Sequence, residues 1–315
     1  MAKSRIFFAS DVHGSERCWR KFLNAGRFYK ANVLIMGGDI AGKLIIPIVR
    51  QHNGTYKTTF HREYELAVGT ELRDLERAIR DSGYYPVRLT PDEVAELQTK
   101  EAQDELFKEV MAKELGRWLQ IAEDKLKGSG IRCYASPGND DIWELDQVLR
   151  SQSVVETPDG GRVTIDDEHE MVGSGYSTPT PWHTERECTE EEYADKIEDL
   201  VGMIESMPKA IFDIHCPPFD SGLDSAPEIT EDLKPVTILG QPQTAPVGSK
   251  AVKAAIQRYQ PLLGLHGHVH ESRGIVKIGR TVCINPGSEY TEGILAGALV
   301  GVDGSKVEQF QLISG

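Results

Sequence analysis

Gly267-His268-Val269-His270 places two imidazoles two residues apart behind a glycine. In an extended segment residues i and i+2 point to the same side, so both rings can reach one point in space or two neighbouring points. The glycine lets another part of the backbone approach without a Cβ clash. Imidazole nitrogen is a borderline-soft ligand for divalent transition metals. Matching donor types stand elsewhere in the chain, in Asp11-Val12-His13, Gly38-Asp39, Gly138-Asn139-Asp140-Asp141 and His215. Asp11 and His13 repeat the i, i+2 spacing. Carboxylate, amide and imidazole donors without a thiolate suit Mn, Fe, Zn, Co or Ni and argue against a structural zinc site.

These segments need elements that bring them together. Asp11, Asp39, Asn139 and His215 each follow a short apolar run: Ile6–Ser10, Asn32–Met36, Ile131–Ala135 and Lys209–Ile214. Continuous apolar runs of this length read as buried strands. The first two are separated by a helical stretch from Glu16 to Ala25, which argues for a parallel-type α/β core. Open α/β sheets gather ligands at the carboxyl ends of their strands, so residues far apart in sequence can share one crevice. Singly, each segment could be a turn, a helix entry or a hydrogen-bonded core histidine. Their recurrence just beyond successive apolar strands is what makes them a constellation.

Residues 50–128 interrupt the strand rhythm. Two helical stretches, near His61–Ser82 and Pro91–Lys127, have no convincing strand between them, so a helical insertion over 50–115 is expected within a single domain of 1–315. Leu115, Trp118, Leu119, Ala122 and Leu126 recur at helical spacing and belong to the main core. The insertion either shapes substrate access or forms a homo-oligomer contact. Asp159-Gly160-Gly161 is a hairpin turn signal. Thr189 and Glu192 have capping-box spacing at the head of an acidic helix reaching Met207. Phe219–Ser249, rich in Pro, Gly, Ser and Asp, reads as a long surface loop. Tyr176, Trp182, His183 and Phe219 are candidate pocket residues, with ordinary loop packing as the alternative.

Composition narrows the function classes. The net charge is −14, and residues 159–199 carry 13 acidic against 3 basic side chains. No basic stripe is visible, and a field of this sign opposes extended nucleic acid. A small phosphorylated substrate remains compatible if metals supply local positive charge. No apolar run is long enough for a membrane span. The short run after Arg5 lacks the pattern of a signal peptide. Five scattered cysteines without a C-x-x-C pair fit a reducing cytoplasm better than a disulfide framework.

Taken in order, Asp11-x-His13, Gly38-Asp39, Gly138-Asn139, His215 and Gly267-His268-x-His270 resemble the five-part pattern of the calcineurin-like metallophosphoesterases. Asn285-Pro286-Gly287-Ser288 resembles the turn that follows it in bacterial members. The likeness runs from Asp11 to Ser288, outside the insertion and much of 217–249. It implies an α/β fold of four layers, α-β-β-α, a sandwich of two mixed sheets with helices outside. It also implies two divalent metal ions, with manganese favoured. Asp11, His13, Asp39 and His270 would hold one; Asp39, Asn139, His215 and His268 would hold the other. Asp39 would bridge them.

One position departs from the family pattern. Asp140 stands where the family has a histidine that assists the leaving group. An ionised aspartate there repels substrate phosphate, and it donates a proton only if burial or like charge raises its pKa. The resemblance therefore implies a metal-dependent phosphodiesterase acting on a small or cyclic nucleotide-like diester, through hydroxide activated by two metals. Asp39, Asn139 and Asp140 would be its catalytic residues. The alternatives are a phosphomonoesterase or protein phosphatase, and a catalytically weak scaffold on the same fold.

Overall fold

The computed structural model describes residues 4–230 and 233–315. The expected apolar runs become Ser4–Ala9, Val33–Gly37 and Arg132–Ser136, which pair in parallel at the centre of a six-stranded sheet. Val155–Glu156 adds one edge in parallel, and Ala296–Asp303 with Lys306–Ser314 completes the other side antiparallel. A second six-stranded sheet runs Gly274–Ile278, Thr281–Asn285, Leu263–Leu265, Ala210–Ile214, Glu170–Ser174, Arg162–Thr164. Its four inner strands are parallel.

Strand alternation separates the layers. Phe7, Leu34, Met36 and Cys133 point outward, where helices Glu16–Phe28 and Lys100–Leu126 lay Trp19, Phe22, Leu115, Trp118 and Leu119 against them. Phe8, Ile35 and Tyr134 point inward and meet Met171, Ile211, Leu263 and Ile284 of the second sheet. On the far face, helices Glu190–Val201 and Lys250–Tyr259 pack Tyr193, Ile197, Val252 and Ile256 on Val172, Phe212 and Ile214. The period of two in strands and 3.6 in helices thus builds an α-β-β-α sandwich. Thr189 and Glu192 form the expected capping box, although the helix ends at Val201 rather than Met207.

Three expectations are corrected. The insertion is not helical throughout: Ile45–Arg50, Tyr56–Phe60, Arg62–Leu66 and Tyr85–Leu89 form a four-stranded mixed sheet, with helix Thr70–Asp81 packed through Leu72, Leu75 and Ile79 on Ile48 and Phe60. Its strands are only five or six residues long, and Arg62–Leu66 carries three charged side chains, so no strand pattern stands out beside the neighbouring helices. Leu115 lies in the main core as expected, and Met111, within the expected insertion, joins it there. The segment 217–249 is not a plain loop, because Ser225–Pro227 pairs with Thr244–Pro246 and Thr237–Ile238 with Gln241–Pro242. Finally, Asp159-Gly160-Gly161 does not close a hairpin. The strands flanking it, Val155–Glu156 and Arg162–Thr164, belong to different sheets.

Candidate metal centre

The carboxyl ends of the parallel strands of both sheets converge on one crevice. Ala9 leads to Asp11 and His13, Gly37 to Asp39, Ser136 to Asn139 and Asp140, Ile214 to His215, and Leu265 to His268 and His270. His13 Nε2 lies 3.0 Å from His270 Nε2 and 3.7 Å from Asp39 Oδ2. His215 Nε2 lies 3.4 Å from Asp39 Oδ2 and 3.9 Å from Asp11 Oδ1, and His270 Nε2 lies 3.5 Å from Asp11 Oδ1. Three groups, Asp11 with His13 and His270, Asp11 with Asp39 and His215, and His13 with Asp39 and Asp140, each place their donor atoms within 4.8 Å of one another. His268 Nδ1 is 2.7 Å from Asn139 Oδ1, and its ring centroid is 5.5 Å from that of His215. All eight sequence-nominated residues therefore stand in or beside one cluster.

They do not arrive there by strand alternation. Asp11, His13, Asp39 and His268 have φ of 56°, 39°, 49° and 67°, so the ligand segments are turns in the left-handed region. Each such residue costs about 1–3 kcal/mol and persists only where its surroundings over-determine it. Here they do. Asp11 N donates to Gly38 O, His13 N to Asp39 O, and His268 N to Asp11 Oδ1, each at 3.0 Å. Gly267 is needed where it stands, because a Cβ there would overlap the Asp11 carboxylate. Gly38, at φ 119°, admits His215 against the backbone at the same kind of distance. His266 turns away, with Nδ1 2.8 Å from Ile214 O.

The donors fit a divalent cation. His215 Nδ1 sits 2.9 Å from Gly37 O, which can only accept, so Nδ1 carries the proton and Nε2 presents a lone pair. That Nε2 is buried, has no hydrogen-bond partner, and faces two carboxylates. The Asn139 amide makes the same choice for His268: its Oδ1 accepts from Nδ1 while its Nδ2 donates 3.0 Å to Thr184 Oγ1. His13 and His270 turn ring nitrogens on each other. Without a cation only protons can neutralise this arrangement. Burial opposes charge on His215, but Asp39 and Asp11 overcome it and push the ring up to about 10. His13 goes the other way, driven by burial down to about 3. Asp39 is held well below the usual carboxylate range, because His215 and His13 outweigh the cost of its burial.

Several residues position the ligands in ways the sequence does not declare. Asp141 is buried, and its carboxylate accepts from the backbone of Ile40 (3.0 Å), Ala41 (2.8 Å) and Gly138 (2.8 Å), tying the loop after Asp39 to the loop before Asn139. Asn285 donates to the carbonyls of Leu223, Gly267 and Val269, and Ser288 donates 2.6 Å to Asp11 O. This gives the Asn-Pro-Gly-Ser turn a physical role as a clasp on the His268 loop. The Tyr290 ring packs on His13 and His270, at 4.9 and 6.1 Å between centroids. The Lys43 ammonium pairs with Asp140. Asp141, two residues after Asn139, and Asn285 with Ser288, in the turn the likeness marks, carried a local signal; Lys43 and Tyr290 carried none.

The four nominated pocket residues divide. Tyr176 packs on Trp143 and lies under Lys196, and Phe219 lies under Lys250. Trp182 and His183 are exposed on the loop whose Thr184 holds Asn139.

No family model matches the chain. An uncharacterized protein of Methanocaldococcus jannaschii is 28% identical over 174 residues, covering 54% of this chain and 71% of that protein. One solved structure aligns over 99% of both chains at a TM-score of 0.60 and 14% identity. A Thermus thermophilus protein aligns over 100% of this chain and 99% of its own, at a TM-score of 0.54 and 14% identity. The two structural likenesses extend the fold over the whole chain.

Proposed function

We propose that the protein is a metal-dependent phosphoesterase of the calcineurin-like kind that prefers small phosphodiesters to phosphomonoesters. The observation that carries this reading is the convergence of two carboxylates and four imidazoles at the strand ends of two facing sheets, with the buried His215 Nε2 left without a hydrogen-bond partner. Asp11, His13, Asp39 and His270 would hold one divalent cation, and Asp39, Asn139, His215 and His268 a second. Manganese is the favoured ion, and Fe, Zn, Co or Ni also suit the N/O donor set. Bound there, such ions polarise phosphoryl oxygens and lower the pKa of water.

The chain's own residues do the rest. Asp11 and Asp39 supply fixed negative charge that retains the cations. Asn139 and Gly37 set the tautomers of His268 and His215. Asp140 Oδ2 sits 3.9 Å from His13 Nδ1, and by the motif resemblance it would take the position of the family's leaving-group histidine. Burial, with Asp39 beside it, pushes its carboxyl up to about 6 against the pull of Lys43. An acidic group there opposes a dianionic monoester more than a monoanionic diester, which supports the diester preference.

Among the described residues no helix is long and apolar enough to cross a membrane. All five cysteines are free and buried, which supports a reducing cytoplasm.

The test uses metal-stripped protein with Mn²⁺ added back, and bis(p-nitrophenyl) phosphate run beside p-nitrophenyl phosphate. Mn²⁺-dependent turnover favouring the diester is expected. Asp39→Asn should lose Mn²⁺ retention and hydrolysis together. Full turnover by that variant, or none by the metal-loaded parent, refutes the proposal.

A further inference from the structure

A cavity of about 430 Å³ lies between the sheet of the insertion and the helices Pro91–Glu96 and Lys100–Leu126. Its walls include Leu44, Ile45, Val49, Leu97, Leu106 and Phe107. Volumes of this size belong to small-ligand sites. None of the ligand residues lines it, yet Lys43 links the two. Lys43 lines the cavity, and its ammonium rests on the Asp140 carboxylate at the edge of the ligand cluster. The loop that carries Lys43 is clamped from both sides: Ile40 and Ala41 donate to Asp141, and Gly42 N donates 2.6 Å to Tyr85 Oη. One lysine thus spans the distance from an apolar chamber to the metal centre.

We propose that this cavity seats an aliphatic substituent of the phosphoester substrate, with the phosphoryl group at the metal centre and Lys43 at the junction. The proposal rests on the phosphoesterase reading and narrows its substrate class. The walls decide between an alkyl chain and the nucleotide-like group expected from sequence. A nucleobase is recognised by hydrogen bonds to its edges and by stacking on aromatic faces. Here the amides of Gln98 and Gln103 already donate to Val94 O and Leu97 O, both at 2.9 Å. Phe107, the one aromatic ring of the lining, is tilted against Tyr85 with centroids 6.2 Å apart. Asp104, the one carboxylate of the lining, is exposed to solvent. What remains is largely aliphatic surface that ends at the Lys43–Asp140 pair, the place for an alkyl chain whose phosphoryl group lies beyond that pair. Leu44, with 56% of its surface exposed, flanks Lys43 and gives the chain an apolar entry.

The experiment measures KM of the Mn²⁺-loaded full chain for p-nitrophenyl phosphodiesters whose second ester group lengthens from methyl to decyl. Binding of methyl- and decylphosphonate is measured by calorimetry on the same protein and on Leu97→Trp, which fills the cavity. If methylenes are buried, KM falls about four-fold per carbon over the first several carbons, the factor expected for one buried CH2 group. Leu97→Trp flattens the series and removes the preference for decylphosphonate. Turnover with no dependence on chain length overturns the proposal and leaves the phosphoesterase reading standing. A decylphosphonate preference that Leu97→Trp removes, without turnover of any ester, supports the seat and removes the hydrolase reading. Equal binding of both phosphonates by the parent overturns the seat whatever becomes of the variant. So does self-association in sedimentation that Leu97→Trp abolishes, since a second copy would then fill the cavity.

Discussion

Asp141→Asn isolates the cost of holding two ligand loops together. In the parent, Asp141 Oδ2 accepts from Ile40 N at 3.0 Å and Gly138 N at 2.8 Å, and Oδ1 accepts from Ala41 N at 2.8 Å. Asparagine keeps one oxygen. Its better orientation leaves that oxygen on Ile40 and Gly138 and turns its NH2 toward the Ala41 N–H, donor against donor. A buried donor left unpaired costs about 1–3 kcal/mol. Burial and the nearby Asp39 push the Asp141 carboxyl up to about 6, so removal of its charge offsets part of that loss. The net expectation is a destabilisation of about 1 kcal/mol, read as a lower urea midpoint at unchanged slope. The larger effect is on position. Ile40 follows Asp39 and Gly138 precedes Asn139, so loosening this clamp moves ligands of both expected sets. Groups that orient ligands typically change metal affinity by about 10–100-fold, and a loss of about 10-fold in Mn²⁺ affinity by calorimetry is expected. If the variant matches the parent in Mn²⁺ affinity, the Asp141 clamp does not position the ligands. A stability gain would refute the hydrogen-bond count itself.

Two further outcomes follow from other parts of the molecule. Gly38→Ala places a Cβ onto His215 Nδ1 in a backbone at φ 119°; Mn²⁺ affinity should fall more than unfolding free energy, and equal affinity would show that His215 has room to yield. Asp166 lies away from the centre and is opposed by burial. Hydrogen bonds from Ser4, from the Glu168 and His169 amides and from the His169 ring prevail and hold its carboxyl at about 2, below the ordinary value of 3.8. A depressed carboxyl stabilises the fold above its unfolded pKa and loses that contribution as pH falls through the folded one. The stability gap between parent and Asp166→Asn should therefore close between about pH 4 and pH 2, and a gap constant over that window in urea titrations would contradict it.

How much of this was legible without the structure depends on the range of the interaction. The strands before Asp11, Asp39, Asn139 and His215 were legible because a buried parallel strand must be apolar on both faces, and that signal is local. The Thr189–Glu192 capping box was legible for the same reason, its partners being three residues apart. The sheet of the insertion was not. Arg62–Leu66 and Tyr56–Phe60 expose charged and polar side chains, and their pairing partners confer strand structure that their own residues do not declare. The ligand geometry was reached by a premise that failed. His268 and His270 were expected to share a side as members of an extended segment, but His268 lies at φ 67° and the two rings meet different neighbours, Asn139 and His13.

The order and chemical type of the donors is therefore a property of the sequence: which residues can bind a cation, and that they follow strands, is written in local composition. Tertiary structure alone decided which donors face one another, that Asp141 and Asn285 clamp their loops, and that Lys43 joins the centre to an apolar cavity. The physical reason is that these contacts join segments far apart in the chain, as Ile40 is from Asp141 and Leu223 from Asn285. Hydrogen bonds and close approaches of that span depend on how two sheets stack, and no window of sequence encodes the stacking of sheets.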